Sequence, residues 1–178
     1  RRQRQMCIRD STTAHSCTAV GVSALTANTT GSMNTAIGRD CLASNTTGTF
    51  NVGLGNDALE SNTTASNNVA VGYYTLQANT TGGSNIAIGR QALALNTTAS
   101  SNTAVGHNTL GANTTGTENV AVGANALDAN TTGNYNVAIG VNALTSSTTA
   151  TENTAIGYEA MDSATTANNC IAIGSHAL

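Results

Sequence analysis

The sequence predicts an all-β protein, a parallel β-solenoid (β-roll) with one coil per 17-residue repeat and about ten coils. Three observations carry that expectation. Glycine recurs at Gly21, Gly38, Gly55, Gly72, Gly89, Gly106, Gly123, Gly140, Gly157 and Gly174, each 17 residues after the last, with no insertion or deletion. A chain that permits no slip over nine periods is one in which every copy stacks on its neighbour. Seventeen residues are also too few for a helix-pair repeat of about 33, and the short apolar stretches alternate with period two rather than 3.6. Finally, only 8% of the 178 residues are charged and Pro and Lys are absent, against about 25% charged residues in an ordinary soluble domain.

The repeat reads N-(T/V/I)-A-(I/V/L)-G-x-x-A-L-x-x-N-T-T-(G/A)-x-x from Cys17 to Leu178, and its slots are numbered from the first Asn. The fourth slot is aliphatic throughout, for example Ile37, Ile88 and Ile139, and the second is Thr, Val or Ile. Such residues suit a strand, and these two slots are expected to face the coil interior. The Ala between them, replaced only by Gly53, then faces outward. Small residues in nearly every copy there suggest close packing by another chain. The ninth slot, Leu in nine copies and Met161 in one, supplies a second core contact.

The first slot holds Asn in the eight central copies, from Asn34 to Asn153, and reads as a hydrogen-bonded ladder from coil to coil. The twelfth slot begins an Asn-Thr-Thr element at Asn28, Asn45, Asn62, Asn79, Asn96, Asn113 and Asn130. Each is an N-x-T sequon, so a column of N-glycans is one reading and a structural turn is the other. Ser147 and Ala164 replace the Asn while both threonines persist, so the coil requires the Thr pair more strictly than the Asn.

Function classes narrow from the same residues. Residues 1–11 form a basic start, with Arg1, Arg2, Arg4 and Arg9, and read as foreign to the fold; residues 12–178 form the repeat domain. Beyond residue 10 the chain holds two Arg and eight acidic residues, a net charge of −6 that argues against nucleic acid as a partner. No stretch approaches 18 apolar residues, so no membrane-inserted helix is expected. No catalytic triad, paired carboxylates or metal motif is legible, and His15, His107 and His176 fall in three different slots. We therefore expect no enzyme, no catalytic residue, no metal and no cofactor.

The variable slots are the sixth, seventh, tenth, sixteenth and seventeenth. They carry all the aromatics, and Tyr73, Tyr74, Tyr135 and Tyr158 are candidate surface contacts. Cys41 sits in the Ala-dominated eighth slot and reads as a buried thiol. Cys17 and Cys170 take the first slot in the two outermost copies, nine periods or about 43 Å apart. They cannot pair within one chain, so we expect rods to stack end to end, with Cys170 of one and Cys17 of the next as a candidate inter-subunit disulfide. The other reading is that terminal coils tolerate Cys in place of Asn.

The motif N-(T/V)-A-(I/V)-G resembles the head repeats of trimeric autotransporter adhesins. The longer N-T-A-I-G-x-x-A-L-x-x-N-T-T-G form is similar to repeats of bacteriophage tail fibres and bacterial surface fibres. That resemblance implies a parallel β-roll that self-associates, with a trimer as the first expectation, and an extracellular, cell-surface or virion-surface location. The expected function is a structural or adhesive fibre module, a rigid rod displaying turn side chains and glycans. The alternatives are a receptor-binding adhesin head, which adds a host receptor or glycan as partner, or a phage tail-fibre shaft. An ice-binding solenoid ranks lower, because adjacent threonines face opposite ways.

Overall fold

A computed structural model describes residues 14–178, so the expected boundary between residues 11 and 12 lies outside the described residues. Ten three-residue strands occur at intervals of 17: β1 (Thr18–Val20), β2 (Thr35–Ile37), β3 (Val52–Leu54), β4 (Val69–Val71), β5 (Ile86–Ile88), β6 (Thr103–Val105), β7 (Val120–Val122), β8 (Val137–Ile139), β9 (Thr154–Ile156) and β10 (Ile171–Ile173). They form one parallel sheet in sequential order, and each residue pairs with the one 17 positions on. The described chain is therefore a β-solenoid, as the glycine period predicts.

Hydrogen bonds between coils run around most of the perimeter, not only through the sheet. Beside the strands, Thr35 N donates to Asn51 O and Gly38 N to Val20 O, each at 2.8 Å. On the remaining walls Leu42 N donates to Ala58 O at 3.0 Å, Thr46 N to Thr63 O at 2.8 Å and Phe50 N to Ser32 O at 3.2 Å. An inserted residue would shift all of these bonds out of register at once, which explains the fixed period.

The corners are made by left-handed backbone. The fifth-slot glycines have φ between 128° and 145°, a region that only glycine enters at low cost. A Cβ on Gly38 would also run into the carbonyl of Gly55 in the next coil. The seventh, ninth and seventeenth slots are left-handed as well, including the ninth-slot leucines near 52°. That conformation costs an ordinary residue about 1–2 kcal/mol. Full burial of the Leu side chain offsets it by about 1.5–3 kcal/mol.

The core corrects one sequence expectation. Period-two alternation holds, but with the opposite phase: third-slot alanines point inward and the second and fourth slots point outward. Ala36, Ala70, Ala87, Ala104, Ala121, Ala138 and Ala155 are all fully buried, whereas Ile37, Ile88 and Ile139 remain 37–40% exposed. The reason is the width of the coil. The interior already holds one Leu per coil, from Leu25 to Leu144, together with the eighth-slot alanines. Gly53 shows how little room is left: a Cβ there would collide with Cys41 Sγ and lie 3.6 Å from Leu42 Cδ1. Only a methyl group fits opposite the Leu column, so smallness marks the inside of a thin coil.

Candidate functional site

Four surfaces run the length of the rod, and the coil geometry builds each from a few slots. The first is an internal polar wall formed by the first and twelfth slots. Asn51 is fully buried; its backbone N donates to Asn34 Oδ1 at 2.9 Å, and its Nδ2 donates to Ala65 O at 2.8 Å. The same pair of bonds recurs in successive coils, as at Asn85 and Asn102. The expected first-slot ladder is thus present. In the first copy a thiol takes over part of this role, since Cys17 Sγ donates to Gly31 O at 3.3 Å.

The twelfth-slot asparagines form a second ladder, which favours the structural-turn reading of the sequons over the glycan column at the buried sites. Asn45, Asn62, Asn79, Asn96, Asn113 and Asn130 are fully buried. Asn79 Nδ2 donates to Asn62 Oδ1 of the coil before and to Gly82 O of its own coil, both at 2.9 Å. Asn28, half-buried, donates from Nδ2 to Gly31 O at 2.8 Å. At the six fully buried sites a glycan would occupy a nitrogen whose two hydrogens are both used, whereas Asn28, at the end of the ladder, spends one on Gly31 O. The ladder stops at Ser147, where Asn130 Oδ1 and Ser147 Oγ, both buried, are left without a partner.

The adjacent threonines divide as the sequence implies. Thr46 Oγ1 donates to Thr63 O at 3.0 Å, and Thr63, Thr80, Thr97 and Thr114 repeat that bond. The fourteenth-slot threonines, such as Thr64, Thr81 and Thr98, are exposed. The outward hydroxyls of this pair therefore make one column.

The turn columns hold the charged and aromatic residues. Arg39 reaches across one coil to Asp57 at 3.2 Å and to Asn56 Oδ1 at 3.3 Å, and lies 3.5 Å from Asp40. Tyr73 and Tyr74 stand together with ring centroids 3.9 Å apart, and the hydrogen bond to Tyr73 raises the Tyr74 phenol above its ordinary value. Tyr158 lies five coils further along the Tyr73 column, against His176 at 5.2 Å, and its hydrogen bond to Glu159 likewise raises it. Tyr135, in the seventeenth slot, is on a different corner. The four tyrosines singled out from the sequence thus do not converge on one site. Asp128 is raised by burial, and Asn108 Nδ2 donates to it at 2.8 Å.

Cys41 is fully buried, as expected, and burial pushes its thiol up to about 12. Cys17 and Cys170 are free and half-buried at opposite ends of the sheet. Among the described residues no three His, Cys, Asp or Glu side chains gather where a metal could bind. Nor do they include a helix long and apolar enough to cross a membrane.

The fourth surface is the outer face of the sheet, which the sequence expectation had turned inward. Sixteen of its twenty strand positions are Val, Ile or Leu and the other four are Thr. Comparison with protein-family models, with curated proteins and with solved structures finds no match.

Proposed function

We propose that this chain is a structural module of an extracellular fibre, a rod whose length is set by the number of coils and whose turn columns display side chains. One observation carries the reading: the charged and aromatic residues beyond residue 13 all fall within the five variable turn slots, while the first-slot Asn, third-slot Ala, fifth-slot Gly and ninth-slot Leu barely change from coil to coil. A chain under such a constraint preserves a shape and varies a surface. The display is of side chains, because six of the seven sequon asparagines are fully buried and bonded inside the coil. The fibre acts at a cell or virion surface, as the resemblance to adhesin heads and tail fibres implies.

The adhesin-head alternative would need a gripping site, and the separation of Tyr73 and Tyr74 from Tyr135 and Tyr158 gives it little support. A single outward Thr column equally gives little support to ice binding. The rod reading is tested by changing coil number. Duplicating residues 52–102, which are three coils, should lengthen the particle by about 14 Å in electron micrographs. An unchanged length, or a globular particle, would remove the proposal. Antibody labelling of native material tests the location: label along surface filaments is the expected result, and label confined to the cell interior contradicts it.

A further inference from the structure

The wall that carries the Asn-Thr-Thr elements is bonded unequally along the rod. Between Thr80 and Thr97 four hydrogen bonds cross from coil to coil. Thr80 N and Thr81 N both donate to Thr97 O, at 2.8 and 3.3 Å, and Thr80 Oγ1 donates to the same oxygen at 3.0 Å. Asn96 Nδ2 donates to Asn79 Oδ1 at 2.9 Å. The same set spans every junction from Thr29–Thr46 to Thr114–Thr131. At Thr131–Thr148 the side-chain amide is lost, because Ser147 stands in the twelfth slot. At Thr148–Thr165, where Ser147 faces Ala164, one bond of the set is left among the described residues: Thr148 N to Thr165 O at 3.3 Å.

The rest of that junction is intact. On one side of the gap Ser146 N donates to Asp162 O at 3.1 Å. On the other, Thr151 N donates to Asn168 Oδ1 and Asn153 Nδ2 to Ala167 O, each at 2.7 Å. The sheet continues behind, with Val137 N donating to Asn153 O and Gly157 N to Ile139 O, each at 2.8 Å. Residues 163–166 are thus held at both ends and barely held between. Thr148 beneath them is exposed, whereas Thr80, Thr97, Thr114 and Thr131 are half-buried. Ser147 Oγ and, one coil deeper, Asn130 Oδ1 are buried without a partner.

We propose that residues 163–166 are a strap that opens and closes over this gap while the sheet behind it stays paired. Closing the strap shuts two polar atoms away from water with nothing to bond. Opening it gives both atoms to water and breaks one long hydrogen bond. At the other junctions the balance is reversed, since opening there breaks the full set and orphans a ladder amide. Ser147 and Ala164 together set the strap, because both lack the amide by which one coil grips the next. The rod accordingly has one place at which a wall yields without parting its sheet. This device goes beyond the fibre reading and needs only the stacked coil.

Amide hydrogen exchange of the full chain tests the strap, because a local opening exposes only the amides it uncovers. Thr148 should be less protected than Thr80 and Thr97 by about a hundredfold. Val137 and Gly157, in the sheet at the same level, should keep the protection of mid-rod strands. Ser147→Asn/Ala164→Asn returns both amides and should raise protection at Thr148 by about tenfold or more, with Gly157 unchanged. A Thr148 as well protected as Thr97 would overturn the proposal. So would a Thr148 indifferent to the two amides, which is the mark of general fraying. Equal loss at Thr148, Val137 and Gly157 would mean that the whole coil peels away, and would overturn it too. If the relatched chain does not fold, Asn79→Ser/Asn96→Ala decides by carrying the gap to mid-rod. Thr80 must then lose protection by about tenfold or more while Val69 and Gly89 keep theirs; otherwise the strap is refuted.

Discussion

Paired departures from the repeat show how tightly one residue constrains another. Gly53 is the single exception to third-slot Ala, and Cys41, which faces it, departs from eighth-slot Ala. The sulfur occupies the volume that a third-slot methyl group would need in that coil. Gly53→Ala alone should therefore overpack the core by about 1–3 kcal/mol. With Cys41→Ala added, the coil returns to the consensus and most of that loss should be recovered. Chemical denaturation of the two single variants and the double variant reads the coupling; additive losses would contradict the contact. Ser147 is a second case. Ser147→Asn gives Asn130 Oδ1 its donor and leaves one orphan in place of two, moved beside half-buried Ala164. We expect a gain of about 1 kcal/mol and a melting temperature higher by about 2–4 °C.

At the scale of the element, the three-residue strand is too short to hold itself, and the Asn ladder behind it supplies what the sheet lacks. Asn102 Nδ2 donates to Gly116 O at 2.9 Å, and its Oδ1 accepts from Asn119 N at 2.9 Å. Asn102→Ala strands the buried Asn119 N–H at about 1–3 kcal/mol, while Gly116 O keeps its second donor, Asn113 Nδ2. Hydrogen exchange should show the greatest loss of protection in the coils carrying β6 and β7. Uniform loss along the rod would contradict a nearest-neighbour stack. The ladder, the glycine corners and the Leu column were legible in the sequence because each is a nearly unchanging residue at a fixed spacing. The phase of the strand was not. Alternation distinguishes two faces without saying which is inside, and branched residues suit either. The signal that decides it is variability: Thr35, Val52 and Ile86 interchange in one slot, as an outer face allows, while the neighbouring slot admits nothing larger than Ala. The place of the sequon amides in a buried ladder was hidden for a related reason. A short motif cannot show whether its amide is consumed by a copy of itself 17 residues away.

For the whole molecule, stability is a sum over coils and interfaces, so whole coils are exchangeable and single residues are not. Deleting residues 86–102 removes one period and joins β4 to β6 in register; this variant should melt cooperatively with an unchanged β spectrum. Deleting Ser100 alone shifts every contact beyond it by one residue and should abolish cooperative melting. Equal tolerance of both deletions would contradict the stacked coil. The central claim, that alanines line the interior and aliphatic side chains face outward, is tested most directly by two neighbouring charges. Ala138 is fully buried and Ile139 is 39% exposed on the outer face. Far-UV circular dichroism and thermal melting of Ala138→Asp and Ile139→Asp compare the two. Ala138→Asp places an unpaired carboxylate against the Leu column and should destroy the cooperative transition, whereas Ile139→Asp should keep both spectrum and transition. The opposite order, with Ile139→Asp unfolded and Ala138→Asp intact, would contradict the account.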